Sequence, residues 1–93
     1  MFERVLKQMQ EKVRVRQYVM TLHAEEEMDN DELTIFDVEH GILTGAIVER
    51  QKDRDTGEWK YLVQGRTLES EPFTVVTKLS PTAKLVILTV YRE

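Results

Sequence analysis

The spacing of the apolar residues changes near residue 45, and this change limits the folds that the chain can adopt. Before that point the apolar residues recur every three or four positions, as they do along one face of an α-helix. After it they alternate with polar residues in short runs, and turn-forming residues separate the runs. Helices followed by a series of strands predict an α+β fold rather than an alternating α/β fold.

Two helices and one ambiguous segment are predicted before residue 33. A first helix should span 2–14, where the apolar residues form one stripe. Residues 15–20 favour a short strand through their β-branched and aromatic content, but a continued helix fits as well. Thr21 is a good N-cap, so a second helix should run from there to about Asp31. Leu22 and Met28 are expected to be its buried residues.

A third helix and four strands complete the prediction. Thr34 and Asp37 match a capping box, which predicts a helix from Ile35 to Leu43 with Gly45 as its C-cap. Short polar links between the strands indicate an antiparallel meander. We therefore expect two or three N-terminal helices packed on one face of an antiparallel sheet of four to five strands. The predicted strands are 46–50, 59–64, 73–79 and 85–91.

Composition excludes several classes of protein. The 93 residues suit a single domain spanning 1–93, and the absence of Cys excludes disulfides and thiolate metal sites. No apolar run approaches the length of a membrane span, and the N-terminus lacks a signal peptide core. We expect a cytoplasmic protein. The net charge of −4 argues against general nucleic-acid binding, although residues 1–20 are basic and residues 25–32 are acidic.

Three cations are predicted to share one face of the sheet. Side chains on a strand alternate between its two faces, and Phe73 and Val75 mark the core face of the third predicted strand. Lys60, Arg66 and Lys78 then fall on the opposite face. Three cations on one surface would suit a phosphate backbone, but an ordinary solvated face is the simpler explanation.

The two histidines allow different interpretations. His23 follows the Thr21 N-cap, so it belongs either to a solvated helix or to a cleft where it moves a proton near neutral pH. His23 with Glu26 or Glu27 would give a metal only two ligands, so we expect neither a metal nor a cofactor. His40 lies near the end of the third helix, where a cation is favoured, and we assign it a structural role.

Several segments taken together carry a resemblance to a known family. The motifs T-x-H-A, G-x-I-x-E and T-V-Y occur in order and at the right spacing, although each alone would be weak evidence. From Tyr18 onward the chain resembles the domain of unknown function 4258 family. The segments that match are Tyr18–Ala24, Met28, Asp37-Val38, Gly45–Glu49 and Leu88–Tyr91.

The resemblance implies a function. The family looks related to the RelE-like small toxins, which place two helices against a curved antiparallel sheet and cut or bind RNA. It implies a toxin-like protein of a bacterial toxin–antitoxin pair, acting as a metal-independent endoribonuclease on mRNA, with RNA or the ribosome as target. The implied partner is a small antitoxin-like protein of the zinc-finger type, and no membrane is involved. The implied catalytic residues are Lys60, Arg66 and Lys78, which would hold phosphate, and His23 or Tyr91, which would move protons.

Two positions depart from the family pattern. Glu27 and Asp31 stand where the family commonly has Arg. Anions at these positions would repel RNA phosphate locally. A second interpretation therefore remains open, in which the chain is a non-catalytic protein-binding module whose acidic segment 25–32 meets a basic partner. A third, a small-ligand binder in the cleft between helices and sheet, rests on no specific feature.

Overall fold

The structure is a computed structural model that describes residues 1–93 and contains three helices and five strands. The predicted α+β architecture is confirmed, and the predicted elements differ from the observed ones only at their ends. None of the helices has the length and apolar character needed to cross a bilayer. In chain order the elements are α1 (Glu3–Arg14), β1 (Tyr18–Met20), α2 (Leu22–Asn30), α3 (Ile35–Thr44), β2 (Ala46–Lys52), β3 (Trp59–Arg66), β4 (Pro72–Leu79) and β5 (Leu85–Arg92).

The five strands form one mixed sheet in the order β1-β5-β4-β3-β2. Strands β2 to β5 are the expected antiparallel meander. The ambiguous segment forms β1, which pairs with β5 in parallel, Tyr18 opposite Leu85 and Met20 opposite Ile87. No hairpin joins β1 to β5, so nothing forces these two strands to run in opposite directions. The sheet is therefore mixed, whereas the sequence had indicated a wholly antiparallel sheet.

The core lies between the three helices and one face of the sheet. Thirteen buried apolar residues form it. Leu22 is not among them, since 70% of its surface is exposed, and Ala24 faces the sheet instead. Residues two apart on a helix point about 200° away from each other, so burying Ala24 and Met28 turns Leu22 outward. The sheet contributes Val63, Phe73, Val75, Leu85, Ile87 and Val90 to the core.

The N-terminus of α3 is fixed by the predicted capping box. Thr34 accepts a hydrogen bond from the Asp37 backbone, and the Asp37 carboxylate accepts one from the Thr34 backbone. The same carboxylate also accepts from the backbone N–H of Leu68, at 3.0 Å. Burial alone would raise the pKa of Asp37, but these hydrogen bonds outweigh it and hold that pKa below its ordinary value. One side chain thus ties α3 to the turn between β3 and β4.

Helix α3 lies directly on β3 because two glycines meet there. A Cβ atom added to Gly65 would lie 2.3 Å from the Gly41 carbonyl oxygen. One added to Gly41 would lie 2.3 Å from Cζ of Phe73. No side chain fits between these backbones. The contact therefore fixes the height and position of α3 above the sheet.

Replacing Gly65 with Ala should destabilise the fold. The added methyl meets backbone atoms of Gly41, which cannot rotate away, so we expect Gly65→Ala to cost about 1–3 kcal/mol of unfolding free energy. Urea unfolding followed by circular dichroism measures the loss. Gly57→Asn is the control, because Gly57 has open space around it and Asn tolerates its positive φ. Equal midpoints for the two variants would show that α3 does not rest on β3 in this way.

Candidate functional site

One face of the sheet carries no helix, and we call it the open face. It holds Lys60, Arg66, Lys78 and Tyr91, which are four of the five sequence-predicted site residues. The register supports this placement, because Tyr91 lies opposite Thr74 and Thr74 lies opposite Gln64. All five strands contribute side chains to the open face: Val19 of β1, Ala46, Glu49 and Gln51 of β2, Lys60, Leu62, Gln64 and Arg66 of β3, Thr74, Val76 and Lys78 of β4, and Val86, Thr89 and Tyr91 of β5.

The three cations occupy opposite ends of the open face. Tyr61 pairs with Thr77, so one further step along the strands places Lys60 beside Lys78. Arg66 pairs with Pro72 at the other end. Six residues of strand separate the two ends, which is about 20 Å. The structure therefore brings Lys60 and Lys78 together and leaves Arg66 apart from them.

Acidic side chains balance the lysine end of the open face. Lys78 Nζ lies 3.2 Å from Glu58 Oε1 in a half-buried ion pair. Backbone N–H groups in its own turn, and then the charges of Lys60 and Lys78, hold the pKa of Asp53 below its ordinary value. This end is thus nearly neutral overall, although it carries two lysines.

At the other end, Arg66 and Glu93 lie close to each other. Arg66 Nη1 donates a hydrogen bond to the Ser70 carbonyl oxygen at 2.8 Å. The Glu93 carboxylate accepts hydrogen bonds from the Thr74 hydroxyl and the Gln64 amide. These two bonds, and then the charge of Arg66, hold the pKa of Glu93 below its ordinary value. Glu93 is therefore ionised and fixed in place beside a guanidinium.

A cleft of about 550 Å³ lies at this end of the sheet, and residues of α3 on the helical side line it together with residues of the open face. We call it the His40 cleft. The polar side chains of His40, Gln64, Arg66 and Glu93 are among those that line it. His40 had been assigned only a structural role, and Glu93 had not been considered. The cleft gathers an imidazole, a guanidinium and a carboxylate, which together can exchange protons and hold an anion.

His23 lies apart from these groups, on the surface of α2. Its side chain is 67% exposed, and its Nε2 lies 3.2 Å from Glu27 Oε1. Thr21 caps the helix as predicted, accepting a hydrogen bond from the backbone N–H of Ala24. This position fits a solvated helix end. No group of three or more His, Cys, Asp or Glu side chains is arranged to hold a metal ion.

Glu27 and Asp31 accept backbone hydrogen bonds at the edge of β5, where no neighbouring strand does so. Strand β1 is only three residues long, so the second half of β5 has no strand beside it. Glu27 Oε1 accepts a hydrogen bond from the Val90 N–H at 3.2 Å, and Asp31 Oδ2 accepts one from the Arg92 N–H at 3.4 Å. A cationic side chain cannot accept an N–H, so these two hydrogen bonds need a side-chain acceptor such as the carboxylates of Glu27 and Asp31.

Removing the Glu27 carboxylate should loosen this edge. Glu27→Ala leaves the partly buried Val90 N–H without an acceptor, which costs about 1–3 kcal/mol. Urea unfolding measures the loss, and hydrogen exchange at the Val90 amide locates it. Glu27→Gln keeps an acceptor oxygen and should stay near wild type. Glu26→Ala is the surface control, since Glu26 is exposed. If Glu26→Ala and Glu27→Ala are equally stable, the carboxylate does not support the edge.

Comparison with known proteins gives the family of this chain. No curated protein and no solved structure matches it. The family model described as Domain of unknown function (DUF4258) matches residues 20–92. That span begins at the end of β1 and contains α2, α3 and all four strands of the meander. The T-x-H-A, G-x-I-x-E and T-V-Y motifs had predicted the same family, and the chain belongs to the DUF4258 family.

Proposed function

We propose that this chain is a toxin-type protein that binds and cuts mRNA without a metal, as one member of a bacterial toxin–antitoxin pair. The open face is the observation that carries the proposal. It presents Lys60, Lys78 and Arg66 on one surface with the exposed Tyr91. The sequence resemblance to RelE-like toxins, which use an antiparallel sheet for RNA, supports the same conclusion.

An RNA strand would lie along the open face. Cations separated by about 20 Å suit phosphates several nucleotides apart on a single strand better than one point anion. The apolar side chains Leu62 and Val76 lie between the two cationic ends. Tyr91 offers a ring on which a base can stack, which contributes about 1–3 kcal/mol per base in proteins of this kind. The partner would be a small antitoxin-like protein of the zinc-finger type that keeps RNA from this surface.

A second candidate is a non-catalytic protein-binding module of the same fold. Two observations favour it. Lys78 is already paired with Glu58, which weakens its attraction for phosphate. Glu25, Glu26 and Asp29 project from α2 into solvent, where a basic partner could meet them. In this case reversing these three acids to Lys would slow association with the partner, and the open face would be irrelevant to binding.

Cleavage of a labelled mRNA fragment by the purified protein, alone and with ribosomes, tests the first proposal. We expect cleavage in at least one setting and growth arrest on expression. The double variant Lys60→Glu, Lys78→Glu should weaken RNA binding. Lys84→Glu should not, because Lys84 lies in the turn between β4 and β5 rather than on the open face. Absence of binding, cleavage and growth arrest would reject the RNA function and leave the protein-binding module.

A further inference from the structure

We infer that the His40 cleft is the reacting centre for an RNA phosphodiester, with His40, Arg66 and Glu93 as the groups that touch it. The inference rests on the proposed RNA function and goes beyond it, since it adds His40 and Glu93 to Arg66, which the family resemblance already implies. The lysine end of the open face would then bind the RNA backbone only.

Cutting RNA without a metal needs a proton acceptor, a proton donor and a positive charge within reach of one phosphate. Glu93, His40 and Arg66 line the His40 cleft and offer these three kinds of group. The lysine end of the open face lacks such a set. It carries no imidazole, and its Lys78 is already paired with Glu58. Chemistry therefore favours the cleft over the lysine end.

Two of the three groups are held by hydrogen bonds before any substrate arrives. Glu93 is fixed by its hydrogen bonds from Thr74 and Gln64, and Arg66 is fixed by its bond to the Ser70 carbonyl. His40 lies on α3, immediately before Gly41, whose backbone rests on the β3 residue that precedes Arg66. The glycine contact thus positions the backbone of α3 at His40 relative to the strand that carries Arg66. Such a preorganised set loses little by way of rearrangement during a reaction.

The reaction that fits these groups needs no further reactant. The Glu93 carboxylate takes the proton of the ribose 2′-OH, and the 2′ oxygen forms a bond to the adjacent phosphorus. The bond from phosphorus to the 5′ oxygen breaks, and protonated His40 gives its proton to that oxygen. Arg66 pairs with the non-bridging oxygens as their charge grows. The products are a 2′,3′-cyclic phosphate and a 5′-hydroxyl, and DNA is not a substrate because it lacks the 2′-OH.

Nuclear magnetic resonance with adenosine 3′-monophosphate tests the site without relying on cleavage. The chain has two histidines, so the ring signals of His40 and His23 report on two separate places in one sample. We expect the His40 signals to shift on titration and the His23 signals to stay. The Arg66→Ala variant should bind the nucleotide at least tenfold more weakly. Shifts confined to residues near Lys60 and Lys78, or no shift, would overturn the cleft as the phosphate site.

Cleavage assays then test the roles of the groups. His40→Ala and Glu93→Gln should each lower the cleavage rate by at least a hundredfold, with His23→Ala unchanged. His40→Gln serves as a second variant in case the Ala variant unfolds. Wild-type cleavage that survives both His40 variants would overturn the inference and leave the RNA function standing. Nucleotide binding in the cleft without any cleavage would reject the ribonuclease activity and the reacting roles, and leave a nucleotide site.

Discussion

Ile87→Ala should lower the free energy of unfolding by about 2–5 kcal/mol, the usual cost of emptying a core site filled by Ile. Ile87 is 1% exposed, and it lies on the core face between Met20 of β1 and Thr77 of β4. The cavity would open where two strands and the helical layer meet. Small domains have a total stability near the low end of about 5–15 kcal/mol, so this loss is a large share of it. Urea unfolding with two optical probes measures it.

Val86→Ala is the matched control for Ile87→Ala. Val86 is the preceding residue of the same strand, but it points to the open face and is only partly buried. It should lose clearly less than Ile87→Ala, because solvent already reaches the site and little cavity remains. If the two variants lost equal stability, Val86 would be as well packed as Ile87, and the assignment of the two sheet faces would be wrong.

Much of the fold could be predicted because its signals are local. The capping box of Thr34 and Asp37 is complete within four residues, and it formed as expected. Strand alternation has a period of two, so one buried residue such as Val75 fixes which face every neighbour occupies. For the same reason the shared face of Lys60, Arg66 and Lys78 was predictable.

Other features depend on contacts that no local pattern records. The rotation of α2, which buries Ala24 and exposes Leu22, is set by the edge of β5. That edge also explains Glu27, whose acceptor role depends on β1 being too short to pair with Val90. The acidic run 25–32 had suggested a partner surface, but two of its six acids are occupied within the fold.

The candidate site also combines features that the sequence predicts with features that depend on distant contacts. The alternation of side chains along a strand predicts that the three cations share one face. Their order on that face depends on the register between β3 and β4, and the sequence does not show that Arg66 lies far from Lys78. His40 and Glu93 line one cleft because α3 rests on β3 through Gly41 and Gly65. Glycines so far apart in the chain give no local signal that their backbones touch, so the cleft could not be predicted.

Arg66→Ala should lower RNA cleavage on the order of a hundredfold. Negative charge gathers on the phosphoryl oxygens as the bond breaks, and one preorganised donor at that place contributes roughly 2.7–4 kcal/mol. If the chain cuts RNA as proposed, Arg66 is such a donor, because its bond to the Ser70 carbonyl fixes it beside the cleft. The measurement is the single-turnover rate on a labelled RNA fragment. The loss should fall on the rate of the cleavage step more than on the binding of RNA, since Lys60 and Lys78 still hold the backbone.

Two further variants separate this role from a general effect of charge. Arg66→Lys keeps the positive charge but loses the planar donor pair, so it should recover only part of the rate. Arg54→Ala removes an exposed arginine in the turn between β2 and β3 and should cut RNA normally. Unfolding curves for all three variants guard against simple loss of structure, because Arg66 also holds the turn before β4. If Arg66→Ala and Arg54→Ala cleave at the same rate, Arg66 is a surface cation that anchors a turn, and phosphate must meet another part of the open face.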